Sequence, residues 1–384
     1  MTNSLAPSAD FPGLAQITYL NSASISVTPK PVMDEMQAFE RQIASSGTVS
    51  FDDAAEARVY DGARASVARL LHASPDDIAI MTSATECLAQ IAWWLKPARG
   101  KNVVSADIEF PSVTYPWLRV AKDTGCEVRL VEAQKNPESF SLDSIARLVD
   151  KNTAAICISH VQYATGHRLD PVRLAELAHA NGALLVLDTT QSAGVVPFDV
   201  RQAKFDFVLA SAYKWLCGPC GAAFCYMHPD IWRAFDPPFV GWHSTKVTYA
   251  FDARAIDLAD AARRMEYATV AYGAGLGMAA AIDYLCDIGI ERIEQHDLGL
   301  AGLLMDGLER LGARLVTPRP DSERAGLVAA RFQLKPAGEI VAALRERGIV
   351  CASRLGAVRI APHVFNGEED VGRCLDELGL ILAR

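Results

Sequence analysis

Short apolar runs alternate regularly with segments of helical spacing along the first two thirds of this chain. The apolar runs are rich in Val and Ile and too short for typical core helices, so each predicts a buried strand. They are IAIM (78–81), NVVSA (102–106), EVRLVE (127–132), AAICISHV (154–161), ALLVLDTT (183–190), DFVLASA (206–212) and AAFCYM (222–227). Helical patterns at 53–72, 85–95, 112–123 and 171–181 accompany them. The alternation predicts an open, mainly parallel α/β sheet wrapped by helices, with its ligand at the carboxyl ends of the strands.

The last third of the chain has a different pattern. A single helical pattern runs from about 268 to 312, and residues 325–384 then follow the order strand–helix–strand–helix. We therefore expect an N-terminal arm over residues 1–16, a large domain over 17–265, and a linking helix with a smaller α+β domain over 266–384. A cleft between two domains is a common place for a cofactor.

Charge and cysteine usage restrict the partners and the compartment. The formal net charge of −9 argues against nucleic acid and anionic membranes, which both need a basic face. No apolar run reaches the roughly 18–20 residues of a membrane span, and the first residues lack the pattern of a secretory signal. Nine cysteines without a framework spacing are typical of a reducing compartment, so we expect a cytoplasmic protein.

Two charged residues stand at the ends of neighbouring predicted strands. Asp188 ends the run ALLVLD, and Lys214 comes 26 residues later, directly after DFVLASA. A buried carboxylate needs a partner, and a cationic ring nitrogen is one such partner. Burial also lowers the pKa of a lysine, which is what a Schiff-base nucleophile requires. The alternatives are an aspartate that caps a turn and a lysine on the surface.

A run of small and hydroxyl residues, TSATE (82–86), leads from a predicted strand into a predicted helix. Free N–H groups and the helix dipole make such a helix start suitable for a phosphate group. The alternative is a simple N-cap, since Ser and Thr are preferred there.

The chain resembles a known family in the order of several motifs. The motifs are TSATE (82–86), HVQYATG (160–166), DTTQSAG (188–194), SAYKWLCGP (211–219) and VRIAPHVFNGEEDV (358–371). Their order is similar to that of the class V aminotransferase superfamily, which includes cysteine desulfurases, selenocysteine lyases, kynureninases and isopenicillin N epimerases. The resemblance extends from about residue 17 to 384. It implies the PLP-dependent transferase fold type I, pyridoxal 5′-phosphate (PLP) as cofactor, and a small amino acid as substrate.

The resemblance also implies roles for single residues. Lys214 would form the Schiff base with PLP, Asp188 would bind the pyridinium nitrogen, and Gln191 would lie near the phenolic oxygen. The remaining cofactor contacts fall on Ala84, Thr85, Ser211 and Tyr213 around the phosphate, and on Phe110 and Tyr163 around the ring. Thr269 would reach the phosphate of a neighbouring subunit, which implies a homodimer. Arg359 would bind the substrate α-carboxylate through its planar fork, and a structural ion pair with Glu368 or Glu369 is the alternative.

One feature departs from the pattern of cysteine desulfurases, which carry a nucleophilic cysteine on a loop well before the carboxylate-binding arginine. Here the only cysteine of that stretch is Cys351, eight residues before Arg359, and this difference argues against persulfide chemistry. The C-G-P-C motif of Cys217 and Cys220 precedes a strand-like segment, so a turn is expected rather than a redox dithiol. His160 and His363 are expected to be hydrogen-bonded core residues, and no spacing predicts a metal site.

The expected activity is that of a PLP enzyme on a small α-amino acid. Transamination, β-elimination and epimerisation all begin with loss of the Cα proton, and of these we favour transamination and C–S or β-elimination lyase chemistry. An epimerase of the isopenicillin N type and a non-catalytic PLP-binding protein stay open as alternatives. A dithiol oxidoreductase has only the C-G-P-C motif in its favour.

Overall fold

A computed structural model describes residues 3–383, and it contains every strand that the apolar runs predict. The strands are β1 (Thr18–Tyr19), β2 (Ile78–Met81), β3 (Asn102–Ala106), β4 (Glu127–Val131), β5 (Thr153–Ser159), β6 (Leu184–Asp188), β7 (Phe207–Ser211), β8 (Ala223–Met227), β9 (Arg314–Leu315), β10 (Val328–Arg331), β11 (Ile349–Val350), β12 (Ala352–Arg354) and β13 (Ala357–Ile360). The predicted runs correspond to β2–β8, with ends that differ by at most two residues.

The helices also follow the predicted spacing. They are α1 (Lys30–Ser46), α2 (Asp53–Leu71), α3 (Ala84–Leu95), α4 (Pro111–Thr124), α5 (Leu142–Ala146), α6 (Pro171–Ala180), α7 (Pro229–Ala234), α8 (Tyr272–Ile288), α9 (Ile290–Arg310), α10 (Ala337–Glu346) and α11 (Glu368–Leu382). Short 3₁₀ turns connect several of them.

The central sheet has seven strands in the order β2-β8-β7-β6-β5-β3-β4. Five adjacent strands are parallel to one another, namely β7, β6, β5, β3 and β4. Strand β8 runs antiparallel to both of its neighbours, β2 and β7. Both faces are buried: Ile156 and Ile158 of β5 pack into one apolar core, and Ala155 and Cys157 pack into the other. Continuous apolar strands are what a sheet covered on both faces requires, and the predicted α/β fold is confirmed.

A second sheet, in the order β12-β13-β10-β9, lies near the C-terminus. The faces of α9, α10 and α11 cover it through a separate core that includes Leu304, Ile340 and Leu378. The N-terminal segment joins this part of the chain, because β1 pairs in parallel with β11 and Asn21 bridges to Ala361. The proposed domain boundary between residues 265 and 266 stays a prediction.

The prediction of one helix from 268 to 312 was wrong. The helix stops at Ile288, and α9 starts at Ile290, so that the two axes differ by 77°. Gly289 lies between them with φ of +97°, a conformation that side-chain-bearing residues rarely adopt. Within residues 3–383, no single helix is long and apolar enough to cross a membrane, although α8 and α9 pass that test as a bent pair.

Candidate active site

Asp188 is the last residue of β6, at the carboxyl edge of the parallel strands. It is buried, and its Oδ1 accepts a hydrogen bond of 2.7 Å from the backbone N–H of Thr190. Burial raises the pKa of Asp188, while Thr190 and the charge of Lys214 act in the opposite direction. The structure therefore brings the two predicted residues to one edge of the sheet, where each affects the charge of the other.

Lys214 follows β7 in a tight turn and is only 7% exposed. Its Nζ lies 5.2 Å from the centre of the Phe110 ring and 5.8 Å from that of Tyr213. In the described part of the chain the ammonium forms neither a hydrogen bond nor an ion pair. Burial lowers its pKa to about 8; Asp188 opposes this shift, and Arg359 adds to it. The lowered pKa makes the neutral amine far more abundant than in an ordinary lysine, which suits a nucleophile or a base.

The start of α3 gathers the hydroxyl groups that were predicted to bind phosphate. The Ser83 side chain caps the helix by accepting from the Glu86 N–H, and the Ala84 N–H donates to Ser211 Oγ at 3.0 Å. Thr85 Oγ1 lies 2.7 Å from Ser112 Oγ. Ser112 was missed by the sequence reasoning, because nothing local shows that the first turn of α4 meets the first turn of α3.

Gln191 connects the lysine turn to the N-terminal segment. Its amide nitrogen donates to the Ala23 carbonyl at 3.1 Å, and its amide oxygen accepts from the Trp215 indole at 2.7 Å. A second contact joins the same two segments, because the Tyr213 carbonyl accepts a hydrogen bond of 2.9 Å from the Ser26 N–H. Both ends of the Gln191 amide are therefore fixed, and its second N–H remains to serve a ligand.

Two aromatic rings flank the lysine. Phe110 and Tyr163 form an edge-to-face pair with ring centres 5.6 Å apart, and Phe110 as a residue is 42% exposed. Such a ring offers an apolar face to a planar ligand. The structure therefore brings both predicted ring contacts beside Lys214.

Glu109 is a buried acid that the sequence reasoning missed. Its carboxylate accepts from the Ser159 N–H at 2.8 Å, from the Ser159 hydroxyl, and from the Gln162 amide. Burial raises its pKa to about 7 against these three donors, and Asp188 contributes to the rise. Its position directly after the run NVVSADI and before Phe110 is the signal that could have marked it.

Arg359 lies in β13 and is 1% exposed. Its Nη1 donates to the Tyr163 carbonyl at 2.8 Å, its Nη2 donates to Ser24 and Asn21, and its Nε has no hydrogen-bond partner. The alternative ion pair with an acid of α11 does not form, since Arg359 pairs with no carboxylate anywhere in residues 3–383. Burial lowers the pKa of Arg359 to about 10. A buried cation without a counterion is costly, and a bound anion would offset that cost.

Thr269 lies apart from this group in the single chain. It is exposed in the segment before α8, and no hydrogen bond within the described residues connects it to the other predicted site residues. Its predicted role needs a second subunit and stays a prediction.

The C-G-P-C segment is a turn, as predicted. Cys217 is buried with φ of +56° and lies 3.2 Å from the Ser26 hydroxyl, whereas Cys220 is exposed, and both thiols are free. The strand β8 follows, not the helix that a thioredoxin-like dithiol needs.

The two histidines are held inside the core. His160 Nδ1 lies 2.9 Å from Ser192 Oγ, and burial lowers its pKa to about 3. His363 Nε2 donates to the Trp215 carbonyl at 2.8 Å. Within residues 3–383, no group of three or more His, Cys, Asp or Glu residues is placed to hold a metal ion.

The donor set fits PLP. It combines a buried acid, an unpartnered buried amine, an exposed aromatic face, and hydroxyl groups at a helix start. A model of the family described as aminotransferase class-V matches residues 18–365. The chain belongs to the class V aminotransferase family. Class V aminotransferases are PLP-dependent, so the predicted cofactor and the prediction of a PLP enzyme are confirmed.

The class V relatives carry several names. An uncharacterized aminotransferase, YcbU, of Bacillus subtilis is 29% identical over 96% of this chain and 95% of its own length. A probable cysteine desulfurase of Methanothermobacter thermautotrophicus is 31% identical over 79% of this chain and 76% of its own length. A cysteine desulfurase of Haloferax volcanii is 28% identical over 94% of this chain and 88% of its own.

Solved structures agree in fold. The apo structure of a cysteine desulfurase from Thermococcus onnurineus has a TM-score of 0.88 at 24% identity, with all of both chains covered. The cysteine desulfurase CsdA from Escherichia coli has a TM-score of 0.83 at 25% identity, covering 97% of this chain and 98% of its own. This similarity confirms the predicted fold type I architecture of a class V aminotransferase.

Proposed function

We propose that this class V aminotransferase acts on a small α-amino acid, and that Lys214 moves the Cα proton of a substrate held by Arg359. The observation that carries the proposal is the Arg359 guanidinium, buried without a carboxylate partner and close enough to Lys214 to lower its pKa. A planar guanidinium that can donate two parallel hydrogen bonds to a carboxylate suits the α-carboxylate of an amino acid.

The chain's own groups divide the remaining work. When bound, PLP supplies an electron sink for the negative charge that develops at Cα. Asp188 is the acid that would face its ring nitrogen, and Lys214 is the residue that would attach it. The phosphate would lie among Ala84, Thr85, Ser211 and Tyr213, and the ring among Phe110, Tyr163 and Gln191.

Transamination or β-elimination, including C–S cleavage, is the proposed outcome. Relatives named cysteine desulfurase support cleavage at sulfur. Cys351 is the only cysteine near Arg359 in sequence, and burial raises the pKa of its thiol to about 12. A thiol that stays protonated is a poor sulfur acceptor, so the proposal assigns no nucleophilic role to Cys351.

A homodimer in the cytoplasm completes the proposal. Exposed apolar side chains, namely Phe239, Val240 and Phe251, precede the exposed Thr269, and such residues favour contact with another chain. In light scattering, we expect twice the chain mass of 41.5 kDa. Thr269→Ala should weaken PLP binding in that dimer, and a monomer that binds PLP normally would contradict this assignment. The nine free thiols support a reducing compartment.

The central test uses the PLP-loaded protein. Borohydride reduction followed by peptide mass spectrometry should locate a pyridoxyl group on Lys214, and Lys214→Ala should lose the visible absorbance band. Amino acids added to the wild type should change the band and release keto acid, pyruvate or sulfide. A protein that binds no PLP, or a Lys214→Ala variant that keeps a reducible band, would overturn the proposal.

A further inference from the structure

The hairpin of β12 and β13 carries two arginines on one face. Ala352 pairs with Arg359 and Arg354 pairs with Ala357 across the antiparallel strands. Directly opposed residues share a face of a sheet, and so do residues two apart in one strand. Arg354 and Arg359 therefore point to the same side of the hairpin, as diagonal neighbours.

Arg354 has no counterion. It is half-buried, and the hydrogen bond that its guanidinium forms runs from Nη1 to the carbonyl of Ser353, at 2.8 Å. It takes part in no ion pair within residues 3–383. Burial is the largest cause of the lowered pKa of Arg359, and the positive charge of Arg354 is the second. The same charge also contributes to the lowered pKa of Lys214. Arg354 therefore faces the same site as those two cations.

The acids around this site do not neutralise Arg354. Asp188 acts on Lys214, and the Glu109 carboxylate accepts hydrogen bonds from Ser159 and Gln162 but forms no ion pair with Arg354. The other acidic group acting on Arg359, besides Cys351, is the Tyr163 hydroxyl, whose pKa is raised by burial although Arg354 and Arg359 oppose the rise. Within residues 3–383, the two guanidinium groups of Arg354 and Arg359 are therefore both left without a carboxylate partner.

A neutral amino acid would match only one of these two positive charges. Its α-carboxylate provides one negative charge, and Arg359 has the planar fork and the unpartnered Nε to receive it. Arg354 would then remain half-buried and unpaired, which is unfavourable. An anionic group on the substrate side chain would supply the missing counterion.

We propose that the site selects α-amino acids whose side chain carries a second, anionic group, such as a carboxylate or a sulfinate. Arg354 binds that group. This inference rests on the proposed function. The phosphate of PLP is not the counterion in this proposal, because its expected donors lie at the start of α3. Arg354 is a specificity residue that distinguishes acidic substrates from neutral ones.

The test compares isosteric pairs on the PLP-loaded protein by titration of the absorbance band. We expect L-aspartate to bind more tightly than L-asparagine, or L-glutamate more tightly than L-glutamine, by about 10–100-fold, since a hydrogen bond to a charged group contributes roughly 1.5–3 kcal/mol. Arg354→Gln should reduce that ratio to near one, and Arg354→Lys should restore part of it. Arg345→Gln, the same change at an exposed position on α10, should keep the full ratio.

Each outcome separates this inference from the proposed function. If acids and amides change the band with equal affinity, or if Arg354→Gln keeps the preference, the specificity role of Arg354 is wrong while the proposed function stands. If no amino acid changes the band of the PLP-loaded protein, the proposed function itself is overturned. The wild-type comparison needs no variant, so a poorly folded Arg354→Gln protein would not prevent a decision.

Discussion

Lys214 and Phe110 face each other across the candidate site, with the lysine Nζ 5.2 Å from the centre of the phenyl ring. A phenyl ring attracts a cation through its face and can stack on a planar ligand, but it has no proton to exchange. We therefore expect proton transfer at this point of the site to depend on Lys214 and on the groups that set its charge.

The first prediction concerns the pH at which the protein without cofactor binds PLP. Only the neutral amine of Lys214 can attack the cofactor aldehyde, and burial lowers its pKa to about 8. At pH 7, about one molecule in ten carries the neutral amine, against about one in three thousand for an ordinary lysine. The attachment rate, followed by absorbance, should rise with pH and level off above about pH 8.

Asp188 provides the control for that profile. Its negative charge raises the pKa of Lys214, so Asp188→Asn should move the midpoint of the attachment profile to lower pH. A midpoint that stays near the ordinary lysine value in the wild type would show that Lys214 is not desolvated as the structure places it.

A second prediction concerns turnover after Asp188→Asn. The amide keeps the size of the side chain but removes the charge that would hold the ring nitrogen protonated. We expect PLP to stay bound and the Cα proton step to slow by about 10²–10³-fold, the range for loss of a preorganised electrostatic contact. Solvent exchange of the Cα hydrogen, followed by NMR, measures that step directly. Unchanged exchange would mean that Asp188 only shapes the turn at Thr190.

Arg359→Lys is the third prediction. Lysine keeps the charge but lacks the fork and the hydrogen bonds to Tyr163 and Ser24. Substrate kcat/KM should fall by about one to two decades, whereas PLP affinity should stay near the wild-type value. Measuring KM, PLP affinity and Tm on one preparation distinguishes substrate binding from a structural role. A lower Tm with a normal KM would assign Arg359 to the fold alone.

The fourth prediction is that the double change Cys217→Ser and Cys220→Ser leaves activity largely intact. The two thiols belong to a turn that leads into β8, and the Cys217 thiol contacts a neutral hydroxyl. Activity of the wild type should likewise be insensitive to mild oxidation. Activity that falls with oxidation in the wild type but not in the double variant would reveal a redox role.

The sequence predicted the central sheet well because each apolar run is buried on both faces, so its composition alone marks it as a strand. The Asp188–Lys214 pair was predictable for a similar reason, since adjacent parallel strands end at one edge. The helix break at Gly289 was missed because an isolated glycine is also tolerated inside helices. The contact of Ser24 with Arg359 joins residues 335 positions apart, and no local pattern specifies such a contact. The same holds for the shared face of Arg354 and Arg359, which depends on the register of a hairpin.

The pairing of β1 with β11 has a consequence for the order in which the molecule is assembled. The segment that supplies Asn21 and Ser24 leaves the ribosome early, but its partners Ile349, Val350 and Arg359 are made more than 300 residues later. Contacts of such long sequence separation form slowly, because a long loop must close first. The pocket around Arg359 can therefore form only after nearly the whole chain has been synthesised. Nascent chains that end before β13 should contain the sheet edge of Asp188 and Lys214 without the proposed place for the substrate.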